Sequence, residues 1–251
     1  MRGALVRVGL VLLVIAVAGG GVWLLKAATE PEQSPIEVPA ASVPVANVRP
    51  GAVAPPQPQA GAVGEDPLRT WAARVSPATD VPARALMAYG NAELVLRSEQ
   101  ASCRLSWATL AGIGRVESNH GRYGGARLND DGRPSKPIIG VPLDGSAGVK
   151  AISDTDGGRF DGDAERDRAV GPMQFIPSTW KKWTADANLD GVGDPQQIDD
   201  AALAAGRYLC AGGRDLATPD DWWAAVFSYN NSVPYGQKVF GLADGYAKAA
   251  V

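Results

Sequence analysis

The chain has 251 residues, with 24 basic and 27 acidic side chains and a formal charge of −3. So balanced a surface has no cationic excess to draw in a polyanion, which excludes nucleic acid as an expected partner. Its 30 glycines and 19 prolines are unevenly spread, so the chain is read as segments with different physics.

From Val8 to Leu25 the run VGLVLLVIAVAGGGVWLL carries no charge. Such a run enters or spans a bilayer, and Arg2 and Arg7 before it keep the amino side cytoplasmic, sending everything after Lys26 outward. Ala16-Val17-Ala18 resembles a small-residue cleavage site. Residues 1–30 therefore read as an uncleaved anchor that tethers the protein to the membrane, or as a signal peptide whose removal releases a secreted protein. The remainder is extracytoplasmic in both cases. Residues 31–66 hold eight prolines and no aromatic residue, too little apolar surface to offset the entropy of ordering. They read as a linker reaching about 35 Å as a coil and about 110 Å as polyproline II.

Residues 67–251 are left for one folded domain. Its two cysteines, Cys103 and Cys210, predict a disulfide in an exported chain; a metal site using them with the single His120 lacks ligand spacing. Leu68, Trp71, Ala72 and Val75 recur at helical spacing, as do Ala85, Leu86, Ala88, Tyr89 and Ala92 after the interruption SPATDVP. WATLAGIGRVES continues the pattern, with small residues Ala108, Ala111, Gly112 and Gly114 that permit close helix packing and Gly121 as its stop. IPSTWKKW, DDAALAAGRYLC and DDWWAAVFSYN also read as helices, capped by Ser178, by Asp199 or Asp200, and by Asp220 or Asp221. The fold class is mainly α.

Residues 124–170 break this pattern. The stretch is rich in Gly, Asp and turns, and a loop so long is functional or separately organised. Ile138, Ile139 and Val141 predict a short hairpin strand. The carboxylates of Asp154, Asp156, Asp161, Asp163 and Asp167 could hold a cation, although caps, turns and arginine pairs explain acidic loops more often.

Glu117, in GRVESNHG, falls near the carboxyl end of an apolar helix. The helix dipole and partial burial both disfavour its ionisation, as a general acid requires, while a solvated helix end is the plain alternative. His120 reads as a carboxyl-terminal cap. Two further stretches bear on Glu117: GPMQFIPSTW at 171–180, and SYNNSVPY at 228–235 with Tyr229, Asn230, Asn231 and Tyr235. Phe175 and Trp180 read as core aromatics.

In this order and spacing, the three motifs resemble the lytic murein transglycosylases, in particular the membrane-bound B-type branch in its actinobacterial form. The resemblance covers about residues 67–251. It implies a lysozyme-like helical fold around a glycan-binding cleft, with Glu117 as the single catalytic acid and Ser118 as its support. It also implies Gln174, Tyr229, Asn230 and Tyr235 as substrate contacts. The implied reaction cleaves the MurNAc–GlcNAc β-1,4 bond of peptidoglycan strands with no catalytic cofactor, leaving a 1,6-anhydro end. Proteins of cell-wall synthesis or division are the implied partners. A hydrolytic muramidase using an Asp of the acidic loop, and a noncatalytic wall-binding scaffold, are the alternatives.

DANLDGVGD supplies oxygen ligands at the first, third and fifth positions of an EF-hand-like loop, as Asp186, Asn188 and Asp190. Gly191 provides the turn and the Val192 carbonyl the seventh position, but the twelfth position is Gln197 rather than Glu. By resemblance to the enlarged loop of the B-type branch, Asp200 closes the set. The expectation is a structural Ca²⁺ beside the cleft.

Overall fold

Asp66 opens the first helix by accepting the Leu68 N–H at 2.9 Å, with Pro67 at the position where a missing N–H costs nothing. The computed structural model describes residues 66–146 and 150–250; the anchor or signal segment and the linker up to residue 65 lie outside the described residues. Among the described residues there are seven α-helices and two short strands. The helices are α1 (Pro67–Thr79), α2 (Ala83–Glu99), α3 (Trp107–Ser118), α4 (Pro177–Trp183), α5 (Ile198–Leu209), α6 (Pro219–Tyr229) and α7 (Val233–Ala249); the strands are β1 (Ile139–Pro142) and β2 (Arg168–Val170). The fold is mainly α. No described helix is long and apolar enough to cross a membrane.

The core is built where α3 packs along α7 and α2 along α5. Trp107, Leu110 and Ile113 of α3 meet Leu86 and Tyr89 of α2 in one apolar cluster with Leu209, Trp222 and Val239. Small residues permit the close approach. A Cβ on Gly112 would stand 2.8 Å from the Val239 carbonyl of α7, and one on Gly114 would strike the Tyr89 hydroxyl at 2.1 Å. The Cys103–Cys210 disulfide ties the segment between α2 and α3 to the end of α5.

Several local expectations are corrected. SPATDVP does not interrupt the first helix at its start: α1 runs through Pro77 and ends at Asp80, which takes a left-handed conformation with φ 56°. Pro77 removes only one hydrogen bond near the helix end, and Ser76 Oγ donates to the Val81 carbonyl at 2.7 Å to close the turn. The helix caps shift as well. Gln197 caps α5 by accepting the Asp199 N–H at 2.8 Å, because Asp199 is paired with Arg84 and Asp200 turns toward the 186–194 loop. Asp220 and Asp221 sit in the first turn of α6 behind Thr218, and Ser178 lies inside α4 behind Ile176.

The described residues of the 124–170 stretch, 124–146 and 150–170, are organised rather than structureless. β1 pairs antiparallel with β2 in the register Ile139↔Val170 and Pro142↔Arg168, and Ser153 bridges Arg166 beyond the strands. Ile138 falls just before β1, its N–H and carbonyl both held by the Gln196 side chain at 3.1 and 3.0 Å.

Candidate active site

α3 delivers Glu117 in its final turn, and the chain then leaves through three left-handed residues, Asn119, His120 and Gly121, with φ of 54°, 60° and 79°. The helix therefore stops at Asn119, two residues before the predicted glycine. A non-glycine residue in this conformation costs about 1–2 kcal/mol. His120 is held there by burial: it is fully enclosed, its Nδ1 lies 3.2 Å from the Tyr89 hydroxyl, and its backbone N–H donates to the Gly114 carbonyl at 2.8 Å. The expectation of a polar cap is replaced by a core histidine that pins the end of α3 to α2. Burial pushes its pKa down to about 3, so it is neutral and takes no part in acid chemistry near pH 7.

Three sequence-distant segments meet at this helix end. After β2 the chain turns sharply through Gly171 to Gln174, closed by Val170 N–H to the Phe175 carbonyl at 2.8 Å and the reciprocal bond at 3.0 Å. Only glycine fits at 171, where φ is 79° and a Cβ would stand 1.7 Å from the Pro195 carbonyl. The turn then offers its carbonyls outward. Ser118 Oγ donates to the Pro172 carbonyl at 2.6 Å while accepting the Gly121 N–H at 2.8 Å. Tyr229, at the end of α6, donates to the Met173 carbonyl at 2.7 Å. Tyr235, in the first turns of α7, donates to Glu117 Oε1 at 2.5 Å. Three hydrogen bonds thus link the three motifs.

Glu117 is partly buried, and desolvation raises its pKa from 4.5 to about 7 against the smaller opposing effect of the Tyr235 hydrogen bond. No second carboxylate and no cation contributes to that shift. With Oε1 engaged by Tyr235, the other oxygen is left to carry an exchangeable proton. Burial and the neighbouring Glu117 both raise the pKa of Tyr235 and of Tyr229, which keeps both phenols protonated as donors. Glu93 is the instructive contrast. It too is raised to about 7 by burial, yet it accepts the Trp107 N–H at 2.7 Å and pairs with Arg97, so it serves as an anchor for the start of α3.

The remaining predicted contacts take different places. Gln174 has φ of 49° and folds its amide back, Nε2 donating to the Gly171 carbonyl at 3.0 Å, and makes no hydrogen bond to Glu117. Asn230 ends α6 and is exposed, with its backbone N–H bonded to the Val226 carbonyl at 3.0 Å. Ser118 is 1% exposed, so it braces the site from inside rather than facing solvent. Phe175 and Trp180 are core aromatics, 5.4 Å apart edge to face. Sequence reasoning missed Tyr208, whose ring lies 5.6 Å from Tyr229 on one side and 5.6 Å from Trp183 on the other. A single tyrosine in an apolar helix carries no signal beyond core packing.

In the 186–200 loop Asp186 accepts the N–H groups of Asp190 and Gly191 at 3.1 and 2.9 Å, as an acidic residue opening an oxygen-lined turn does. The fully buried Asp200 accepts from Ala187 at 2.7 Å and Asp194 at 3.0 Å. Burial raises its pKa to about 6, and the neighbouring Asp186 carboxylate adds to the rise. Oxygen donors of these kinds suit a hard cation, but Asp186, Asp190 and Asp200 are not among the described carboxylates that converge. Gln197 caps α5 and donates to the Asp131 carbonyl at 2.8 Å, so it does not complete the set. Among the described residues, the carboxylates whose oxygens all approach within 4.8 Å of one another are instead Asp154, Asp156 and Asp167. Each is held by N–H groups of its own loop: Thr155 bonds Asp167 at 2.8 Å, Gly157 bonds Asp154 at 2.9 Å and Phe160 bonds Asp156 at 3.0 Å.

No protein-family model matches this chain, and no curated protein or solved structure matches it either.

Proposed function

We propose that this chain is a peptidoglycan lytic transglycosylase with a lysozyme-like arrangement of helices around Glu117. The observation that carries the reading is a single desolvated carboxyl group, raised to about 7, held by a tyrosine and without a second carboxylate acting on it. Ordinary glycosidases need a pair of carboxylates, one as acid and one as base or nucleophile. A lone acid suits a reaction whose nucleophile is already part of the substrate.

In this mechanism neutral Glu117 protonates the glycosidic oxygen as the bond from C1 of the muramic sugar breaks, and the leaving sugar departs with that proton. Glu117, now ionised, accepts the proton of the same muramic sugar's C6 hydroxyl, whose oxygen bonds to C1. The acid is regenerated and a 1,6-anhydro ring closes without water. Intramolecular capture gives the hydroxyl a high effective concentration. A pKa of about 7 lets one group serve both steps near neutral pH. Tyr235 fixes which oxygen works, and Ser118 and Tyr229 hold the 171–174 turn against the acid's helix. The exposed Asn230 is available for an N-acetyl group.

The same reading makes the protein extracytoplasmic, tethered or released according to the fate of residues 1–30, with Ca²⁺ held by Asp186, Asn188, Asp190, the Val192 carbonyl and Asp200 in a structural role. Digestion of purified cell wall followed by mass measurement tests the activity. Products one water lighter than hydrolysed fragments support it. Ordinary reducing ends would replace it with a muramidase, and wall binding without cleavage would replace it with a scaffold.

A further inference from the structure

Of the three left-handed residues that follow the end of α3, only Gly121 is a glycine. Asn119 and His120 therefore hold a conformation that persists only where the surroundings enforce it. The turn folds the chain back along α3, so that the His120 N–H reaches the Gly114 carbonyl at 2.8 Å and the Asn119 N–H reaches the Arg115 carbonyl at 3.2 Å. Arg115 and Arg122 both donate to Asn119 Oδ1, at 2.5 and 3.1 Å. Ser118 Oγ takes the Gly121 N–H on the other side.

His120 closes this turn from within. Its ring is fully enclosed between Tyr89 of α2, whose hydroxyl lies 3.2 Å from Nδ1, and Tyr246 of α7, with ring centroids 6.2 Å apart. The Tyr89 hydroxyl can lie there only because residue 114 is glycine, since a Cβ would stand 2.1 Å from it. His120 Nε2 has no hydrogen-bond partner among the described residues. A buried unpaired nitrogen is costly, and an apolar ring would fill the enclosure without one. Neither the strain at residue 120 nor the unpaired nitrogen favours folding. What the histidine adds is one side-chain hydrogen bond, and that bond ties α2 to the turn beside the acid. α7 meets the same segment twice, through Tyr235 at Glu117 and Tyr246 at His120.

Resting on the acid role of Glu117 proposed above, we propose that Tyr89 and His120 are positioning residues: their hydrogen bond holds the left-handed turn and so fixes how deeply the Glu117 carboxyl is seated against Tyr235. A purely structural pair would affect melting alone. A positioning pair also changes the acid, whose raised pKa comes chiefly from desolvation. The titratable groups facing Glu117 are the phenols of Tyr235 and Tyr229, both kept protonated, and the charges acting on His120 are Arg115 and Arg122. The titration midpoint of Glu117 thus reports its seating.

The test compares wild type, Tyr89→Phe, His120→Asn and the double variant in the full chain. Asn suits the left-handed region, so the second variant removes the ring without adding backbone strain. The readouts are kcat and KM on peptidoglycan strands, and the carbon-13 NMR titration of the Glu117 carboxyl, assigned by its absence in Glu117→Gln. The expected result is a fall in kcat of about tenfold in each single variant with KM changed less than about twofold. The Glu117 midpoint falls by about one unit as the carboxyl gains solvent. Because the two side chains share one bond, the double variant loses no more than the larger single loss.

An unmoved midpoint or an unchanged kcat in Tyr89→Phe, whatever happens to Tm, would overturn the proposal, as would losses that multiply in the double variant. If His120→Asn does not fold, Tyr89→Phe, which removes one hydroxyl, decides by the same two readouts. If wild type cleaves no glycan, the glycan-cleaving function fails, and the midpoint in Tyr89→Phe still decides whether the pair seats the carboxyl.

Discussion

Glu117→Gln tests the electrostatics of the site through stability as well as turnover. Gln keeps the shape and can still accept the Tyr235 hydrogen bond, but it never ionises. Holding a carboxyl at about 7 instead of 4.5 costs the native state about 3 kcal/mol when the group is charged. The sign follows from a pKa raised on folding. Below about pH 4.5 the acid is neutral in both states and the penalty is absent; it grows as pH rises and is complete above about pH 7. The variant is therefore expected to be more stable than wild type by about 3 kcal/mol near pH 8, about 6–12 °C in Tm for a domain of this size, with the difference vanishing near pH 4. Thermal melts of both proteins across that range measure it, since groups common to the two cancel in the comparison. A difference that does not change with pH, or a variant less stable near pH 8, would refute the desolvated-acid reasoning. Turnover should fall by orders of magnitude in the same variant.

Tyr235→Phe removes the one interaction that lowers the Glu117 pKa, so the alkaline limb of the kcat/KM profile should move to higher pH; an unmoved limb would contradict the contact. A chelator should lower Tm, with Ca²⁺ restoring it, whereas unchanged melting and no metal by elemental analysis would leave the 186–200 loop as a plain turn. Cys103→Ser with Cys210→Ser opens a loop closed across 107 residues, and denaturant titration should show a loss of about 4–5 kcal/mol in the entropic account. A loss below about 1 kcal/mol would contradict it.

The helices were legible because their apolar residues recur at 3.6-residue spacing, and the small residues of α3 foretold its tight packing on α7. Their ends were not, because a cap depends on which side chain is free to turn inward. Asp199 looks like a cap until Arg84, 115 residues away in sequence, engages it and leaves Gln197 to take the role. His120 misleads for a similar reason: its polar type and place beside a glycine suggest a surface, while its enclosure depends on Tyr89 and on α7's Tyr246, 6.2 Å away. The candidate site was legible only as three separate strings. What no string carries is the set of bonds between them, from Ser118 to Pro172, Tyr229 to Met173 and Tyr235 to Glu117, because two of the acceptors are backbone carbonyls that any residue supplies.

The claim at the centre is cleavage by one acid with no water. Digesting purified peptidoglycan strands in heavy-oxygen water and weighing the new ends tests it directly. The account predicts anhydro ends with no solvent oxygen incorporated, and their loss in Glu117→Gln. Heavy oxygen at C1 of the newly formed muramic ends would contradict it.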